Sequence, residues 1–122
     1  MTLHHTALEA EPDVRQPLVD FFELLGFDEV EQLPPGMAGL TRWVERDGKQ
    51  IHFLFVDSNA TAPLLGHVAV VPDDYDETLE RLRSAGFEPE PQQEYWGSPR
   101  CFVHAPGGHV VEVMKFPPNA AA

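Results

Sequence analysis

Three histidines and one glutamate recur at matching places in the two halves of this 122-residue chain. His5 stands near the start of LHHTALEA, and His67 answers it about sixty residues on in LGHVAVVP. His52 in QIHFLF is answered at the same distance by Glu112 in HVVEVM. Neutral imidazole is the commonest biological ligand for Zn, Ni, Fe and Co, and a carboxylate offsets part of the cation's charge. Two equivalent positions from each half make His5, His52, His67 and Glu112 a candidate set for one divalent ion. A six-coordinate ion held by four protein groups keeps two positions for water or substrate, as catalytic sites do. Glu112 and His52 are also the candidates for moving a proton beside the metal.

Strand alternation is what must gather them. Alternate residues of a strand share a face. In IHFLF, Ile51, Phe53 and Phe55 form one apolar face and His52 and Leu54 the other. Val68 and Val70 oppose His67, Ala69 and Val71; Val111 and Val113 oppose Val110, Glu112 and Met114. If the apolar faces pack on helices, the remaining face collects His5, His52, His67 and Glu112. By the same rule His4 points away from His5 and stays outside the set.

The elements repeat as well. PLVDFFELLGF and DYDETLERLRSAGF both read as amphipathic helices that end in Gly-Phe, at Gly26-Phe27 and Gly86-Phe87. Strands are predicted at about 3–9, 28–32, 40–46 and 50–56, then 67–71, 88–92, 100–104 and 110–115. The first helix starts near Gln16 with Pro17 in its first turn. The second starts near Asp73–Asp76, whose carboxylates favour the positive end of the helix dipole. The fold class is thus α+β, one domain made of two βαβββ modules at about 1–57 and 66–117. A linker at about 58–65 joins them, and the tail PPNAAA frays.

Composition narrows the partners. Twenty acidic against eight basic residues leave −12, which argues against nucleic acid and against an anionic membrane surface. No apolar run reaches the roughly 20 residues that span a bilayer, and the start lacks the pattern of a signal peptide. The lone Cys101 excludes an intrachain disulfide and is compatible with a cytoplasmic protein.

Across nearly its whole length the chain resembles the glyoxalase/bleomycin resistance/dioxygenase superfamily, also called vicinal oxygen chelate. The resemblance is carried by LHHTAL, FFELLGF, GHVAVV, the helix with SAGF, and WGSPRCFVHAPGGHVVEVM. It implies curled mixed sheets that form a cup around a divalent metal (Zn, Ni, Fe, Co or Mn), with helices outside. It places His5, His52, His67 and Glu112 at ligand positions on the first, fourth, fifth and eighth strands. Two departures stand out. His52 occupies a position that is usually glutamate in glyoxalase I, so the acid/base pair of that reaction is incomplete. The turn reads Ala105-Pro106-Gly107-Gly108 and lacks its acidic residues.

The resemblance also puts Trp96 and Arg100 in the segment that lines the cup, where Arg100 can receive a substrate oxygen. Trp43, Trp96 and Phe102 would supply apolar lining. His104 and His109 near the last turn read as solvated, and Cys101 as an inert, half-buried thiol. The function expected is a metal-dependent lyase or isomerase, or a dioxygenase, acting on a small oxygen-rich substrate. The alternative is a protein that sequesters an aromatic antibiotic or another hydrophobic small molecule. A homodimer is expected in either case.

Overall fold

The computed structural model describes residues 1–31, 34–37, 39–57 and 59–118. The chain divides into two compact units, Met1–Ala62 and Pro63–Ala122. Each holds a four-stranded mixed sheet and one α-helix, so the fold is α+β.

The first unit contains β1 (His5–Ala10), α1 (Arg15–Leu24), β2 (Asp28–Val30), β3 (Thr41–Arg46) and β4 (Lys49–Phe55). Its sheet order is β1-β4-β3-β2, with β1 parallel to β4 and the other pairs antiparallel. The second unit repeats this with β5 (His67–Val70), α2 (Tyr75–Ser84), β6 (Glu90–Pro91), β7 (Arg100–His104) and β8 (Val110–Met114), ordered β5-β8-β7-β6. Again the first and last strands run parallel and the rest antiparallel. A parallel pair needs a crossover connection, and in each unit the helix supplies part of it.

The apolar faces pack as the alternation requires. Leu18, Val19, Phe21 and Phe22 of α1 are buried, as are Val44, Ile51, Phe53 and Phe55 of the sheet. The Phe22 and Phe53 rings meet at 5.3 Å between centroids, which ties α1 to β4. In the second unit Tyr75, Thr78, Leu79 and Leu82 of α2 are buried, together with Cys101, Val103, Val111 and Val113.

Local chemistry fixes the ends. Phe27 N–H reaches Phe22 C=O at 3.1 Å and Gly26 N–H reaches Glu23 C=O at 3.0 Å, a Schellman closure with Gly26 at φ +100°. Phe87, Leu82, Gly86 and Arg83 reproduce it at the end of α2, with Gly86 at φ +92°. Asp74 caps α2 by accepting from Glu77 N–H at 3.0 Å. Asp47 and Gly48, both at positive φ, form the two-residue turn between β3 and β4 and lock their register.

Most strand bounds differ from expectation by one or two residues. β6 is shorter, because Pro89 and Pro91 have no N–H to give a ladder. A 3-10 turn, Pro12–Val14, precedes α1, which begins at Arg15. Gln32 of the expected second strand, Ser58 of the expected linker and the tail residues 119–122 lie outside the described residues. No described helix is long and apolar enough to cross a membrane.

Candidate functional site

In the first unit β4 carries His52 between two neighbours. Register pairs His52 with Ala7 on β1 and with Trp43 on β3, and His5 lies two residues before Ala7. The His52 ring stacks on His5 at 4.0 Å and 11° and on Trp43 at 4.3 Å and 15°. Trp43 is steadied by its indole N–H, which donates to Thr41 Oγ1 at 2.9 Å.

Gln50 sets the tautomer of His52. Its amide nitrogen donates to Glu45 at 3.0 Å, so its oxygen faces His52 Nε2 at 2.8 Å and accepts from it. That arrangement leaves the lone pair on His52 Nδ1. Burial first, then the neighbouring His5 and His4, holds the His52 imidazole below its ordinary range. His4 does not point away as expected: its Nδ1 lies 3.0 Å from His5 Nδ1. It precedes β1, so strand alternation does not govern it.

The second unit repeats the frame with different chemistry. Register pairs Glu112 on β8 with Ala69 on β5 and Phe102 on β7, and His67 lies two residues before Ala69. Glu112 is 7% exposed, yet both its oxygens are engaged. Oε1 lies 3.1 Å from His67 Nε2, and Oε2 accepts from Arg100 Nη1 at 3.0 Å. Arg100 also donates Nε–H to the Gln93 carbonyl at 2.7 Å. The Tyr95, Trp96 and Phe102 rings surround the guanidinium at 5.1, 5.7 and 5.6 Å.

His67 Nδ1 is 2.9 Å from the Leu65 carbonyl, which can only accept, so Nδ1 carries the hydrogen. The Nε2 lone pair would then face a carboxylate oxygen. Such a contact is favourable when the two groups share a proton or both bind one metal ion. Two donors at right angles, each about 2.1 Å from one ion, stand about 3.0 Å apart. His67 Nε2 and Glu112 Oε1 fit that separation. His5 and His52 have the chemistry of ligands, and their rings are stacked on each other. Among the described residues no group of three or more His, Cys, Asp or Glu is gathered as a metal centre.

The remaining expectations divide. Trp43 lies against His52, while Trp96, Phe102 and Arg100 gather beside Glu112. Arg100, expected to receive a substrate oxygen, has a side chain that is 10% exposed and contacts Glu112 and the Gln93 carbonyl. His104 is exposed as expected, but His109 is buried at 7%. Cys101 is fully buried rather than half-buried, because its strand position faces the core; burial raises its thiol and the Tyr75 hydroxyl partly offsets this. Gln50 and Tyr95 lie outside the residues expected to form the site. Gln50 could have been among them, since it shares a strand face with His52 two residues on.

This paired arrangement has counterparts. Residues 12–113 match the model of the Glyoxalase/Bleomycin resistance protein/Dioxygenase superfamily. The chain belongs to that superfamily. Among solved structures it is similar to a protein assigned to the glyoxalase family from Bacillus anthracis, with TM-score 0.80 and 21% identity over 93% of each chain. It is also similar to the oxidase ChaP-H2, with TM-score 0.77 and 22% identity over 100% of this chain and 98% of that one. Lactoylglutathione lyase from Agrobacterium tumefaciens gives TM-score 0.68 and 19% identity over 93% and 92%. At these identities the structural likeness establishes the fold. No curated protein matches the chain by sequence. The superfamily includes enzymes and suggests a small-molecule ligand; activity on a given substrate is a separate question.

Proposed function

We propose that this superfamily member is a metal-dependent enzyme, a lyase or isomerase, acting on a small oxygen-rich substrate. The proposed ligands for one Zn, Ni, Fe, Co or Mn ion are His5, His52, His67 and Glu112. The observation that carries the reading is the 3.1 Å contact between His67 Nε2 and Glu112 Oε1, with His67 Nδ1 tied to Leu65. It presents two donors at the spacing of neighbouring ligands and in the tautomer a ligand needs. The ion, when bound, supplies Lewis-acid polarisation of substrate oxygens.

Proton movement falls to His52 and Glu112. His52 serves if it is not bound to the ion: its imidazole is held below its ordinary range, and Nδ1 then keeps a lone pair while Nε2 is spent on Gln50. Glu112 serves if it leaves the ion, with its other oxygen held by Arg100. Trp43, Trp96 and Phe102 supply apolar walls. The chain is expected to act as a cytoplasmic homodimer.

A second reading draws on the rings around Arg100. Tyr95 is 75% exposed and Trp96 36%, which suits a protein that binds an aromatic molecule without turning it over. A substrate panel of α-oxo acids, hemithioacetals and catechols, run with each metal restored, separates the two. Turnover abolished by Glu112→Gln supports the enzyme. Saturable binding of an aromatic ligand, metal-independent and without turnover, supports sequestration.

A further inference from the structure

The two units place their site residues on the same frame, and one position breaks the repeat with a charge. His52 sits between Ala7 and Trp43, and Glu112 between Ala69 and Phe102. Two residues before Trp43 is Thr41, across from Leu54; two residues before Phe102 is Arg100, across from Met114. The Thr41 hydroxyl accepts from the Trp43 indole. Arg100 instead reaches diagonally to Glu112 and binds Oε2 at 3.0 Å. The only carboxylate in the proposed ligand set is thus the one provided with a protein cation.

We propose that Arg100 is a built-in competitor of the metal for Glu112. The inference rests on the metal reading above. A guanidinium on Oε2 withdraws charge from the carboxylate and stands beside any cation that binds Oε1, in surroundings where screening is weak. Both side chains are about nine-tenths buried, so water does little to separate the two positive charges. The Gln93 carbonyl and the three rings hold Arg100 in place and keep it from swinging aside. Arg100 also keeps Oε2 from joining Oε1 on the same ion, so Glu112 offers a single oxygen. That suits small transition-metal ions better than calcium, which favours two-oxygen carboxylates. The consequence is a metal that loads reversibly instead of being locked in. Arg100 is a positioning residue here, acting through Glu112.

The alternative role, in which Arg100 merely orients the ligand, has the opposite sign. Removing an orienting partner weakens metal binding by about ten- to a hundredfold. Removing a competing charge strengthens it.

Calorimetric titration of the full chain with Co(II), with the cobalt visible spectrum followed in parallel, tells them apart. Arg100→Gln is expected to bind Co(II) at least about tenfold more tightly than the parent. Arg100→Lys keeps the charge and is expected to bind as the parent does. In a Glu112→Gln background, Arg100→Gln is expected to change nothing further. Arg100→Met replaces Arg100→Gln if that variant does not fold. Tighter binding by the neutral variants, including the case where only they bind, supports the proposal. Unchanged or weaker binding overturns it while a His67-dependent parent signal leaves the metal reading intact. No binding by any folded variant overturns both.

Discussion

Arg100 on β7 and Glu112 on β8 sit diagonally on neighbouring strands, two residues off register, and their side chains meet at 3.0 Å with about a tenth of each exposed. The same carboxylate meets His67 from the other side at 3.1 Å. A buried charge with two partners is tolerated, whereas a buried charge that has lost its partner is not. Glu112→Ala leaves the Arg100 guanidinium facing no anion and is expected to lower unfolding stability by about 3 kcal/mol. Glu112→Gln keeps an oxygen that accepts from Arg100 and is expected to cost less. Urea unfolding of both variants checks the order; losses that are equal and below about 1 kcal/mol would mean the pair is solvated.

His52 gives a pH dependence of known sign. Its imidazole is held below the ordinary range in the folded metal-free protein, by burial first and then by His5 and His4. The unfolded chain therefore binds the proton more readily, and stability falls as pH drops below about 6.5. Thermal unfolding between pH 7.5 and 5.5 is expected to show a smaller fall for His52→Gln than for the parent. An identical fall in both would remove His52 as its source.

Cys101 is 1% exposed, with its thiol pushed up by burial. Iodoacetamide at pH 8 is expected to leave it unmodified in the native protein and to label it in denaturant. Rapid native labelling, read by mass spectrometry, would contradict the packing of the Cys101 face against α2.

Gly48 has φ +76° and open space where a Cβ would sit. Gly48→Ala therefore isolates the backbone cost of the β3–β4 turn, expected at about 1 kcal/mol. A neutral or stabilising result in chemical denaturation would show that the turn relaxes to another type.

Much of this was legible in the sequence because strands and helix ends obey local rules. The Gly-Phe pairs marked both helix ends, and alternation put His5 beside His52 and His67 beside Glu112. What was hidden depends on register and rotamer. The Arg100–Glu112 pair arises from a diagonal across β7 and β8, which no spacing along the chain reveals. The stacking of His5, His52 and Trp43 follows from how Gln50 and Thr41 hold the rings. His4 escaped because alternation begins only at His5, and His109 because the turn that buries it has no periodic signal.

Metal occupancy decides whether His67 and Glu112 hold an ion. Untagged protein prepared without chelators is dialysed to equilibrium against Zn(II), Ni(II), Fe(II), Co(II) and Mn(II) in turn, and bound metal is measured by elemental mass spectrometry. The expected result is about one ion per chain for at least one metal, falling below about 0.1 in His67→Ala and in Glu112→Ala. Occupancy below about 0.1 in the parent for every metal, or occupancy unchanged in both variants, would contradict that role for His67 and Glu112.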